Sequence, residues 1–233
     1  EEAKAYTWTN TIWAAVFIVF FALTVGSTIP WLWLMSIDAH WFSTMYSWYT
    51  FASTFVAGMS LVALFVVYLK NQGYLEYVNK EHMHDLGKFM FAFSIFWTYL
   101  WYSQFMLIWY ANIPEETIYF KPRMQGPYRA IFFLNLIGNF VLPFLLLITK
   151  GSKRNYTTMA FLALLIILGH WLDFYQMVMP GALGAHYSVG WFEFGILALY
   201  AGLVMFFVGR ALEKSPLLAK HHPFLKESIV HHT

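Results

Sequence analysis

Three polar side chains interrupt an otherwise apolar stretch of this sequence: His170, Asp173 and Gln176, within Gly169-His170-Trp171-Leu172-Asp173-Phe174-Tyr175-Gln176. Steps of three residues hold them on one face of a helix, over about 120° of arc. Along the helix axis Asp173 lies about 4.5 Å beyond His170, and Gln176 about 9 Å beyond it. An imidazole and a carboxyl one turn apart can hand a proton to one another, and the amide can lengthen the hydrogen-bonded chain. The same three groups could bind a polar head group, or could do no more than pair helices. An ionisable group in hydrocarbon is costly and so marks function, which puts Asp173 first among the candidates and His170 second.

Other polar residues could extend such a path. Tyr99 and Ser103 are four apart, share a helical face and could continue a relay, with Gln104 beside them. Asn135 and Asn139 have the same spacing and read more simply as helix pairing. Glu193 stands where a helix would begin, a position the helix dipole favours for an acid. Asp38, His40 and His186 fall in loops on the same side of the expected bundle. Glu115, Glu116, Lys121 and Arg123 lie together between two apolar stretches, as a solvated ion-pair cluster or as a surface for docking an extrinsic subunit.

The elements that must position these groups follow from composition. Hydrophobic residues make up 60% of the 233 and charged residues 11%, about half the usual charged share. One water-soluble core cannot hide that much apolar surface. The charge-poor runs predict six transmembrane helices, at Trp8–Met35, Tyr46–Leu69, Leu86–Asn112, Tyr128–Thr149, Tyr156–Met179 and Trp191–Arg210. Continuous rather than alternating apolarity makes them helices and not barrel strands. Pro30 predicts a kink late in the first span, and the many aromatic residues at span ends suit interfacial belts. The expected fold is therefore an all-α polytopic bundle of about six spans, one domain over residues 1–233. Eleven Lys and Arg fall on one side of it and three, Lys121, Arg123 and Arg129, on the other. The positive-inside rule then puts both termini in the cytoplasm.

Composition also excludes chemistry. With no Cys, the chain offers no disulfide, iron–sulfur ligand or thiolate zinc site. A net charge of +2, scattered along the chain, argues against a nucleic-acid partner. His170 is the one His near mid-membrane, so bis-His haem is not expected, and the chain is read as holding no metal or redox cofactor of its own.

The run Ser103-Gln104-Phe105-Met106-Leu107-Ile108-Trp109-Tyr110-Ala111-Asn112-Ile113-Pro114-Glu115-Glu116 resembles a signature of the NrfD/polysulfide-reductase-like membrane subunits of bacterial alternative complex III, a quinol:cytochrome c oxidoreductase. The stretches Leu86–Phe93 and Gly169–Pro180 resemble the same family, so the likeness covers most of residues 85–180. It implies a multi-pass subunit of the bacterial inner membrane, in a respiratory or photosynthetic electron-transport chain. Its expected partners are periplasmic multihaem cytochrome c and iron–sulfur subunits, a related NrfD-like subunit and lipid; quinol or menaquinol is the expected substrate of the whole. Members of the family have about ten spans. A chain with six that opens on Glu1 is then expected to be the C-terminal part of a longer subunit. The resemblance leaves two roles open for the polar ladder, proton conduction and quinone binding; a purely structural anchor is the third.

Overall fold

A computed structural model describes residues 2–184, 189–218 and 222–232. Among them there are helices, turns and no strand. The long helices are α1 (Glu2–Leu23), α2 (Tyr46–Asn71), α3 (Lys80–Ala111), the pair α6 (Arg129–Leu136) and α7 (Leu142–Leu147), α9 (Tyr156–Leu183) and α10 (Trp191–Lys214). Short helices α4 (Pro114–Thr117), α5 (Phe120–Met124), α8 (Lys150–Arg154) and α11 (Leu225–Ile229) occupy the connections and the C-terminal segment.

Five stretches are long and apolar enough to cross a membrane: Ala5–Ile37, Tyr46–Asn71, Gly126–Leu147, Tyr156–Leu183 and Trp191–Lys214. The remaining long helix, α3, has 32 residues, a length of about 48 Å. Charges in its first turns and its Tyr, Trp, Ser and Gln residues lower its mean hydropathy. It nevertheless packs along α2 and against α7 in the bundle. Its bounds differ from the expected Leu86–Asn112 because the Asn79 side chain caps the helix six residues earlier, accepting from the Glu81 and His82 amides. At the far end Asn112 takes a left-handed conformation, φ 49°, that stops the helix just before Pro114.

Helices α2, α3, α6–α7 and α9 form an antiparallel four-helix core. The buried positions of α2 show why: Tyr46, Tyr49, Ser53, Val56, Ser60, Ala63 and Val67 recur in alternating steps of three and four, the repeat that keeps one seam facing a partner helix. On α9, Met159, Ile166, Gly169, His170, Asp173, Gln176 and Pro180 follow a similar seam. The candidate ladder is therefore core by position. Apolar side chains fill the bundle in two layers. One, at the Arg123 end, is aromatic and includes Trp41, Tyr46, Trp97, Tyr119, Phe120 and Phe132. The other, toward the Lys153 end, is aliphatic and thioether, with Val56, Met83, Met90, Leu147, Met159 and Ile166.

Around Pro30, where a kink was expected, the backbone runs as two π-turns, Thr24–Thr28 and Pro30–Leu34, and then a 3-10 turn, Met35–Ile37. A third π-turn, Ile137–Val141, separates α6 from α7 just before Pro143 and carries Asn139. α1 and α10 lie at the margin, with apolar side chains exposed along nearly their whole length.

Candidate functional site

The two apolar layers meet around a buried polar cluster centred on Asp173. Four donors from three helices converge on its carboxyl. Tyr49 Oη and Asn135 Nδ2 (2.8 Å) donate to Oδ1; Ser53 Oγ (2.9 Å) and Trp97 Nε1 (2.8 Å) donate to Oδ2. Asp173, His170 and Ser53 are each at most 1% exposed, so the charge or proton held here is sealed from bulk solvent. Such a group is tolerated in a membrane only with partners of this kind.

His170 joins the cluster through Ser53, whose Oγ lies 2.8 Å from Nδ1. The direct separation of His170 Nδ1 from Asp173 Oδ2 is 3.7 Å, too long for a good hydrogen bond. Ser53 is thus the bridge. Its single hydroxyl proton can point either way. It donates to an ionised Asp173 while accepting from His170 Nδ1–H, or it donates to His170 Nδ1 while accepting from a protonated Asp173. The two polarities differ by one proton moved from imidazolium to carboxylate, leaving neutral imidazole and carboxylic acid. The ring of Trp97 meets that of His170 edge-on at 5.4 Å and fixes its plane. His170 Nε2 and Gln176 Nε2, at opposite ends of the ladder, are buried and find no hydrogen-bond partner among the described residues.

Asn135 and Asn139 do more than pair helices. Asn139 Nδ2 donates to Asn135 Oδ1, which orients Asn135 toward Asp173 and, at 3.5 Å, toward Gln176 Oε1. Gly169 makes room for this: a Cβ there would collide with Asn139 Oδ1.

At the Arg123 end a small cavity adjoins the cluster, lined by Tyr49, Gln104, Arg123 and Gln176 among aromatic rings. It has room for about one water molecule. Arg123 closes it. Pro180 lacks an N–H, so the carbonyl of Gln176, four residues back, loses its helical donor; Arg123 Nε supplies one at 3.0 Å. The same guanidinium donates to Met177 O (2.8 Å) and Tyr119 O (2.6 Å), lies 3.4 Å from the Tyr119 ring centre and pairs with Asp38 Oδ2 at 2.8 Å. Gly181 admits Asp38, whose Oδ1 would stand 2.7 Å from an added Cβ.

The expected site residues divide accordingly. His170, Asp173 and Gln176 come together in the core. Tyr99 is exposed, and Ser103 donates back to the carbonyl of Tyr99 at 2.6 Å, so neither extends the ladder; Gln104 is the residue of that stretch that turns inward. Glu193 is buried and accepts from the Gly190 amide at 2.8 Å, capping α10. Arg123 is not a solvated docking charge: it is buried against Asp38. Glu115 and Lys121 are exposed and Glu116 is half-buried. His40 is exposed, and His186 lies outside the described residues. Tyr49, Ser53 and Trp97 were not singled out from the sequence, although Tyr49 and Ser53, four apart, share a face as plainly as Tyr99 and Ser103 do. Among the described residues no three His, Asp or Glu side chains converge as a metal site would require.

No family model matches the chain, and neither does any curated protein.

Proposed function

We propose that this chain is a membrane subunit, NrfD-like, of a quinol-oxidising electron-transport complex of the bacterial inner membrane, and that Asp173, Ser53 and His170 move protons within it. The assignment to such a complex rests on the resemblance of residues 103–116 and 169–180. The proton role rests on one observation: a single reversible hydroxyl bridges a buried carboxyl and a buried imidazole. In this reading electrons travel on haem c and iron–sulfur groups of periplasmic partner subunits, with Glu115, Glu116 and Lys121 available on the outer side to meet them. This chain contributes no redox group.

Proton exchange is favoured toward the Arg123 end. The water-sized cavity there lies between Tyr49 and Gln176, both members of the cluster, and Arg123, which pairs with Asp38. Toward the other end His170 faces a largely apolar layer of Val56, Ile166, Met90 and Leu162, with the buried hydroxyls of Ser60, which donates to the Val56 carbonyl, and Ser94 on the same helix seams. A quinone head group at Asp173 is less well supported, because the adjoining cavity accommodates a water and not a ring.

The test is Asp173→Asn in the intact complex, with assembly checked by subunit content. Loss of proton-coupled turnover with normal assembly supports the relay. Wild-type turnover and wild-type proton release reject it and leave a purely structural anchor. A raised apparent KM for quinol, with kcat retained, favours quinone binding instead.

A further inference from the structure

A second cavity, away from the polar cluster, lies at the Lys153 end of the bundle. It is a groove of about 400 Å³, within the range of small-molecule sites. One wall is the apolar surface of two long helices, Val62 and Val66 on α2 with Leu86 and Phe89 on α3. The other is the C-terminal segment, Leu218, Leu225 and Ile229. That segment is pinned in place by three polar contacts. His231 Nε2 and Asp85 Oδ2 are 2.8 Å apart, His82 Nε2 and Ser228 Oγ 3.2 Å, and Asn79 Nδ2 donates to the His231 carbonyl at 3.3 Å. The groove therefore has an apolar length and one polar end, where Lys88 Nζ stands 2.5 Å from Asp85 Oδ1 with its side chain half exposed.

We infer that this groove binds a phospholipid, one acyl chain clamped between α2, α3 and the C-terminal segment and the phosphate held at Lys88, at the rim beside Asp85. Two observations commit the site to that occupant. Its α2 wall belongs to a helix long and apolar enough to cross a membrane, where the surrounding solvent is hydrocarbon. Its polar end carries a cation and a carboxylate one helical turn apart, complementary to a phosphate and to the amine of a zwitterionic head group. The inference is independent of the proton relay.

The test is native mass spectrometry of the complex released from bilayers of phosphatidylethanolamine and phosphatidylglycerol, with inorganic phosphate as a separate arm. Expected is a retained phospholipid that Val66→Trp, which fills the groove, reduces at least several-fold and that Lys88→Ala weakens. Because Val66→Trp could disturb the bundle, Ile229→Glu supplies the second variant; it alters only the C-terminal wall, and it too should lose the lipid while the thermal midpoint holds. Undiminished lipid in both groove variants overturns the proposal. So does retention of a single-chain isoprenoid in place of phospholipid, or binding of inorganic phosphate alone.

Discussion

At the scale of single residues, the polar cluster depends on positions that look unremarkable. Gly169 is one. Replacing it with Ala forces Asn139 away from α9, and Asn139 holds Asn135 on Asp173. Overpacking of this kind costs about 1–3 kcal/mol. Gly169→Ala should lower the unfolding midpoint in detergent and also perturb turnover, whereas Gly138→Ala, in open space, should do neither. Arg123 is a second. Its removal leaves Asp38 and the carbonyls of Gln176, Met177 and Tyr119 without their donor, a loss of about 3–5 kcal/mol for a broken buried pair. Arg123→Lys cannot reproduce a fork that reaches four acceptors, so it should recover only part of the stability lost in Arg123→Ala, read as unfolding midpoint.

At the scale of helices, the long apolar runs and the three-residue steps of the ladder were legible because each depends on residues near in sequence. Their partners were not. Ser53 and Trp97 stand 120 and 76 residues from Asp173, and a serine or tryptophan in an apolar helix has many ordinary uses. Arg123 reads as a solvated loop charge until Pro180, 57 positions on, is seen to free the carbonyl that it serves. The start of α3 carries a prediction of its own. His84 there is buried, and burial, followed by the nearby cations Lys88, Lys153, Lys150 and Arg154, lowers its pKa. The folded state then binds fewer protons than the unfolded state below about pH 6.5, so the contribution of His84 is complete above that pH and is lost as pH falls. The unfolding midpoint should decline between about pH 7 and 5.5. His84→Gln should flatten the decline; an unchanged slope in that variant would assign it to other groups.

At the scale of the whole molecule, a four-helix core holds the polar cluster while α1 and α10 present apolar surface to whatever surrounds them. Hydrocarbon can cover such faces without a protein partner, which makes the chain a multi-pass membrane protein. Its orientation decides with which compartment the proposed proton exchange at Asp173 would take place. Lys70, Lys80, Lys88, Lys150, Lys153 and Arg154 gather at one end of the core helices, and Lys121, Arg123 and Arg129 at the other. The positive-inside rule therefore predicts the Lys153 end in the cytoplasm and the Arg123 end outside. With the other Cys count at zero, single substitutions can report this without background from the chain itself. Gln125 and Gln72 are both exposed, at opposite ends. An impermeant maleimide applied to intact cells or right-side-out vesicles should label Gln125→Cys, and should reach Gln72→Cys only after permeabilisation. The opposite pattern would turn the molecule over: the water-sized cavity would face the cytoplasm, and the proton exchange proposed for Asp173 would be with that compartment.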